Sequence, residues 1–174
     1  MNVAVLFGRK NSKSIKNKNI LKIFSKPMFM YPIDAAKQVK EIHKIYVSSD
    51  SKLILNESRK KGCIPINRPK YLCNDKALLE DAIQHAINYC QKENNSKVKN
   101  FIILLCNSIC IKHEDIKKGL KILNHSKKFD TVTTISKFNN FSPVRTKKIY
   151  KKKLLNYIPN KNLKKFTPLS CDRD

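Results

Sequence analysis

The sequence predicts an α/β fold with a mostly parallel sheet and helices on both of its faces. Two observations predict it. Short apolar runs alternate with segments of roughly 10–15 residues whose apolar positions recur at helical spacing, the pattern of successive βαβ units. The strongest runs, Val3–Phe7 and Phe101–Leu105, are apolar at every position, as strands covered on both faces are.

The elements follow in order. Val3–Phe7 ends at Gly8, and a polar, basic loop runs to Asn19. Pro27 to Val39 reads as a helix, with Met28, Tyr31, Ala35 and Val39 on one stripe and Pro27 suited to the first turn. Lys44–Ser48 is a second strand, after which Asp50 can cap a helix that runs to about Lys61 and stops at Gly62. Cys63–Asn67 is a short strand closed by Arg68-Pro69. Lys76 to Lys92 is an amphipathic helix with Leu79, Ala82, Ile83, Ala86, Ile87 and Cys90 on one face. Another helix is expected over His113–Asn124, another strand over Thr131–Ser136, and a short hairpin around Lys148–Leu155. These divide the chain into an α/β domain over residues 1–139 and a basic tail over 140–174, a candidate dimerisation arm.

Composition narrows the function. At 174 residues with 41% apolar content, the chain can bury a core as one domain. Lysine and arginine number 37 against 13 acids, a formal charge of +24. Such a field attracts polyanions: nucleic acid, anionic membrane or phosphorylated substrate. Lysines scattered over solvated faces of a compositionally biased chain would give the same total. The six cysteines form no CxxC pair, so reduced, mostly buried thiols are expected, and the four histidines show no zinc spacing. No run approaches the roughly 20 residues of a membrane helix, and the N-terminal apolar run is too short for a signal peptide. A cytoplasmic protein is expected.

In an open parallel sheet, ligands sit beyond the carboxyl ends of the strands. The loop Gly8–Asn19 is the most informative of these, holding five basic residues, one glycine and no acid. Arginine offers a planar fork for phosphate, lysine a mobile point charge, and serine and asparagine add neutral donors. The loop has neither GxGxxG nor GxxxxGK[ST], so the dinucleotide and Walker motifs do not apply. A solvated basic turn is the rival explanation.

The loop resembles that of the acylneuraminate cytidylyltransferase family, typified by CMP-sialic acid and CMP-Kdo synthetases. Their motif A-R-x-G-S-K-x-I-x-x-K-N is matched by Arg9, Ser12, Lys13, Ile15, Lys18 and Asn19 in register. Pro27 and Tyr31 match "GKPLIAYTI", Val47–Asp50 matches "VSTD", and Arg68, Pro69, Leu72, Asp75 and Ala77 match "RPxxLAxDxA". Leu104–Asn107, Ser142–Arg145 and Cys171–Asp174 are similar to "LLCNAP", "SPLR" and "CDRD" segments of one subgroup.

The resemblance implies a Rossmann-like, three-layer nucleotide-diphospho-sugar transferase fold. It also implies a reaction in which an acidic sugar's hydroxyl attacks the α-phosphate of CTP, giving a CMP-sugar and pyrophosphate. By carry-over, Arg9, Ser12, Lys13, Lys18 and Asn19 hold the triphosphate, with Arg9, Lys18 and Asn19 acting in catalysis. Arg68 and Asp75 lie near the nucleotide, while Asn107, Ser108, Arg145 and Arg173 face the sugar. For Asp75 and Asp50, helix capping is an equal alternative. Lys10-Asn11 replace two loop positions, Leu78-Leu79 stand where many members carry small polar residues, and Cys106 replaces a sugar-facing glutamine. Mg²⁺ is implied, and its aspartates in the family lie beyond Asp174, which leaves Asp172 and Asp174 as the late carboxylates. The partners expected are CTP and a sugar acid, with a homodimer if the chain is complete and no membrane. The alternatives are a truncated nucleotide-binding remnant of this family and a basic nucleic-acid-binding protein, the latter disfavoured by few aromatics and no groove-reading motif.

Overall fold

A computed structural model describes residues 1–10, 15, 17–74, 77–95, 97–125, 129–135, 147–151 and 153–156. They belong to two compact units, 1–132 and 133–174.

In the first unit, β1 (Asn2–Phe7) leads to a 3-10 turn (Lys18–Ile20) and a small hairpin of β2 (Lys22–Ile23) and β3 (Lys26–Pro27). Then follow α1 (Met30–Lys37), β4 (Ile42–Ser49), α2 (Lys52–Lys60) and β5 (Ile64–Asn67). A second 3-10 turn (Lys70–Leu72), α3 (Leu79–Glu93), β6 (Asn100–Leu105) and α4 (His113–His125) complete it. The main sheet runs β5-β4-β1-β6 and every pairing in it is parallel. The expected α/β architecture is present.

Alternation along β1 builds two cores. Ala4 and Leu6 point to the face covered by α1, α2 and α4, where they meet Ile33, Ala36, Ile54 and Leu120. Val3, Val5 and Phe7 point to the opposite face, where α3 brings Ala82, Ala86 and Cys90. A strand apolar at every position is the sequence consequence of two covered faces.

Several boundaries differ from expectation for identifiable reasons. Pro27 does not open a helix but ends β3, because the backbone N–H groups of Met28 and Phe29 donate to Leu21 and Asn19 carbonyls (2.8 and 3.1 Å). The helix therefore begins only at Met30. The cap of α2 is Ser51, whose hydroxyl accepts from the Ile54 N–H, and not Asp50. At the other end Gly62 (φ 75°) closes α2 as expected, in a Schellman arrangement: Gly62 N–H to Arg59 and Cys63 N–H to Ser58. Helix α3 starts at Leu79 with Leu78 in the cap position, and the Asn74 side chain accepts from the Ala77 N–H just before (2.9 Å); Asp75, expected as a possible cap, lies outside the described residues. Residues 131–135 form no strand: they pair with no ladder partner among the described residues, and Ile135 is 90% exposed. In the second unit, β7 (Lys147–Tyr150) and β8 (Lys153–Asn156) form the expected antiparallel hairpin.

The β2–β3 turn contains Phe24 (φ 46°) and Ser25 (φ 65°), the two positive φ values of a type I′ hairpin, carried by residues that disfavour them. Ser25→Gly is expected to stabilise the fold by about 1 kcal/mol, and Gly62→Ala to destabilise it by a similar amount. Urea midpoints at unchanged m-value check both; a Ser25→Gly protein no more stable than the parent would contradict the turn geometry.

Candidate functional site

Strand order reverses at β1: β4 lies on one side and β6, reached later in the chain, on the other. A crevice opens at that switch point, beyond the strands' carboxyl ends. Here a cavity of about 330 Å³ is lined by Phe7, Gly8, Arg9, Lys18, Asn19, Arg68 and Asn107, among others. Leu72, Ala77, Leu78, Leu79 and Ala82, from the approach to α3 and its first turn, add apolar lining. Three cationic side chains line it, and no carboxylate does among the described lining residues. The cavity thus combines cations suited to an anion with apolar surface suited to a planar or aliphatic group.

Arg68 is held most firmly. Its Nη2 donates to the Ser48 carbonyl (2.7 Å) and its Nε to the Ser48 hydroxyl (3.2 Å), while the guanidinium lies 5.8 Å from the centre of the Phe7 ring. Burial lowers its pKa, an effect opposed by negative charge at Asp50 among others. Arg9 Nη1 reaches the Asn74 carbonyl (3.4 Å). Asn19 Nδ2 donates to the Arg9 carbonyl (2.9 Å), and the Asn19 carbonyl accepts from Phe29, which ties the Lys18–Ile20 turn to the start of α1. The small hairpin is fastened to α1 by the Lys26–Asp34 ion pair (2.7 Å) and by the Tyr31 hydroxyl donating to the Ile23 carbonyl.

Cys106 is 2% exposed, and burial pushes its thiol pKa up to about 12 despite nearby Arg68. Its sulfur fills the space beside Gly8, where an added Cβ would lie 2.1 Å from Sγ. The thiol is therefore buried, as expected of the cysteines, at the floor of the crevice that Cys106 helps to line. Gly8 is required here for its lack of a side chain, not for an unusual φ.

Of the residues expected at the site, the fold gathers Arg9, Lys18, Asn19, Arg68 and Asn107 around one cavity. Ser108 does not line it; its N–H closes a turn onto the Leu105 carbonyl (3.0 Å). Ser12, Lys13, Asp75, Arg145, Asp172, Arg173 and Asp174 lie outside the described residues. No group of three or more metal-ligating side chains occurs among the described residues. Asn74 was not anticipated. It holds Arg9 through its carbonyl and the approach to α3 through its side chain, and an asparagine beside Asp75 ahead of a helical run was the available signal. No helix among the described residues is long and apolar enough to cross a membrane.

A family model described as cytidylyltransferase matches residues 3–158. The chain is 34% identical over 146 residues to a Helicobacter pylori pseudaminic acid cytidylyltransferase and UDP-2,4-diacetamido-2,4,6-trideoxy-beta-L-altropyranose hydrolase, covering 83% of this chain and 27% of that one. It is 27% identical over 142 residues to an Escherichia coli N-acylneuraminate cytidylyltransferase, covering 82% and 33%. A Campylobacter jejuni pseudaminic acid cytidylyltransferase is 28% identical over 131 residues, covering 74% and 56%. The chain thus spans about a quarter to just over half of these relatives' lengths. Among solved structures, a CMP:2-keto-3-deoxy-manno-octonic acid synthetase complexed with CTP superposes with TM-score 0.59 at 21% identity, covering 72% of this chain and 48% of that one. A cytidylyltransferase from Leptospira borgpetersenii gives 0.56 at 13%, covering 72% and 50%. These structures share the fold.

Gly8→Ala is expected to destabilise the protein by about 1–3 kcal/mol through overpacking against Cys106. Pairing it with Cys106→Ala should recover part of that loss, a coupling of about 1 kcal/mol in a double-mutant cycle. Additive effects would show that the two residues do not share the space. A second expectation concerns alkali. Burial raises the Cys90 and Cys106 thiols to about 12 from a usual value near 9. The unfolded chain then loses protons first, so their contribution is intact below about pH 9 and is lost as pH climbs toward 12. The melting temperature should fall across that window, and fall less steeply in a Cys90→Ala, Cys106→Ala variant.

Proposed function

The chain belongs to the cytidylyltransferase family, and on that premise we propose that it transfers CMP from CTP to an acidic sugar. One observation carries the reading. Arg9, Lys18 and Arg68 line the crevice at the topological switch together with the apolar side chains of Leu72, Leu78 and Leu79. That arrangement suits a nucleoside triphosphate: phosphates toward the cations, base and ribose toward Leu72, Leu78 and Leu79. The names of the relatives point to a nonulosonic acid, pseudaminic or N-acylneuraminic, as the acceptor.

In the proposed reaction a sugar hydroxyl oxygen attacks the α-phosphorus of CTP. A new P–O bond forms, the bond to the bridging oxygen breaks, and pyrophosphate leaves with its electron pair; the hydroxyl proton passes to solvent or a base. Charge moves onto the pyrophosphate, so preorganised cations lower the barrier. Lys18 and Arg9 supply them, with Ser12 and Lys13 continuing the grip. Arg68, locked on Ser48, acts as a fixed wall charge. Asn107 is placed on the acceptor side, together with Ser108, Arg145 and Arg173. Mg²⁺ is proposed as the cofactor: Asp172 and Asp174 would be its candidate ligands, and it would supply neutralisation of the phosphate charge. A homodimer and a cytoplasmic location complete the reading.

Pyrophosphate release from CTP with pseudaminic or N-acetylneuraminic acid and Mg²⁺ tests it directly. Activity is expected to fall about 100-fold in Lys18→Ala and in Arg9→Ala. CTP that raises the melting temperature without pyrophosphate release would reduce the proposal to nucleotide binding. Steeply salt-dependent nucleic-acid binding with no response to CTP would overturn it.

A further inference from the structure

Asp50 is a half-buried carboxylate that does not cap helix α2, whose cap is Ser51. Its Oδ1 instead accepts the backbone N–H of Lys10, 40 residues earlier, at 2.6 Å. That N–H belongs to the peptide group joining Arg9 to Lys10, and the carbonyl of the same group accepts from Asn19 Nδ2 at 2.9 Å. One peptide plane is therefore gripped at both ends by side chains from separate segments. With Gly8 held upstream by its N–H to the Ser48 carbonyl, a held plane here confines the ψ angle of Arg9, and so the direction in which its side chain leaves the backbone.

We propose that Asp50 is a positioning residue for the anion-binding crevice: with Asn19 it locks the Arg9–Lys10 peptide and thereby aims Arg9 at the bound phosphates. The inference rests on the nucleotide reading given above. A carboxylate this close to a polyphosphate repels it, so charge alone would argue against an acid here. What the group supplies is an acceptor at a fixed point. The lock also gives Asn19 a task beyond phosphate contact, since one of its amide hydrogens is already committed to the Arg9 carbonyl. Asp50 stands two residues beyond Ser48, the partner of Arg68, so two of the three crevice cations are set by one short stretch of backbone.

Two measurements test the proposal: CTP affinity by calorimetry, and hydrogen exchange at the Lys10 amide in the nucleotide-free protein. Asp50→Ala is expected to weaken CTP binding by about tenfold or more, the scale of one lost hydrogen bond to a charged group. Asp50→Asn keeps an acceptor oxygen while removing the charge, and should recover affinity to within about threefold of wild type. The Lys10 amide should be protected in wild type and in Asp50→Asn and unprotected in Asp50→Ala. Equal CTP affinity in wild type and Asp50→Ala would overturn the proposal. So would equal losses in both variants, or an exchange rate at Lys10 that none of them alters. Should Asp50→Ala not fold, Asp50→Gln, whose longer arm displaces the acceptor, takes its place with the same expectations. A wild-type protein that ignores CTP overturns the nucleotide reading and the aiming role with it. The Lys10 exchange rates then still decide whether the peptide lock exists.

Discussion

The carbonyl of Ser48 holds the crevice together. It lies at the carboxyl end of β4, where the parallel ladder runs out and strand carbonyls need other partners. Two groups meet it: the Gly8 N–H at 3.2 Å and Arg68 Nη2 at 2.7 Å. The first fixes where β1 releases the chain into its basic loop. The second anchors a cation from the segment after β5. Ser48 is fully buried, so neither bond is exchanged cheaply for water. Burying a guanidinium is costly, and the lowered pKa of Arg68 records that cost. Two bonds to Ser48 and the face of Phe7 offset it, leaving a charge held rigidly instead of waving in solvent.

The rest of the site depends on the same sheet edge being closely packed. Gly8 and Cys106 are the first residues after β1 and β6, and the Cys106 N–H continues the ladder onto the Phe7 carbonyl (3.1 Å). Strands this close leave no room for two side chains at the switch point, so one residue is glycine and the other is a small thiol turned inward. That choice sets the floor of the crevice. On the sheet face covered by α3, Leu79 and Ala82 from its first turn add apolar lining, so the helix that covers Val5 and Phe7 also shapes the cavity.

How much of this the sequence disclosed depended on whether a signal was local. The all-apolar runs of β1 and β6 were legible because two covered faces leave no polar position. Gly62 was legible because only glycine enters αL at a helix end without cost. The two short strands around Phe24-Ser25 were not, since neither residue advertises a positive φ and the ladder is only two residues long. Choosing between Asp50 and Ser51 as the cap needed the competing partner, the Lys10 amide, which is distant in sequence. Thr131 to Ile135 has strand-forming residues, but propensity expresses itself only against a neighbour. Family motifs marked Arg9, Lys18, Asn19 and Arg68 as a group, and Cys106 is buried as its residue type led one to expect, but its packing against Gly8 was not legible because the two lie far apart in sequence.

A formal charge of +24 does not account for the crevice. Among the described residues, most basic side chains are of the kind seen at Lys52, Lys60, Lys117, Lys118 and Lys121, exposed on α2 and α4. Charges of that sort lie in high dielectric and are screened within about 8 Å at physiological salt. They attract any polyanion weakly and select none. Arg68 differs in environment, not in sign: it is partly desolvated, oriented by two hydrogen bonds, and set beside Arg9 at the one place where strand order reverses. Coulomb attraction to a phosphate is several-fold stronger in such surroundings than at the surface. In the proposed function, selectivity for a compact triphosphate over an extended polyanion would therefore reside in the few residues that the ends of β1 and β4 organise, with the surface lysines contributing at most a long-range pull.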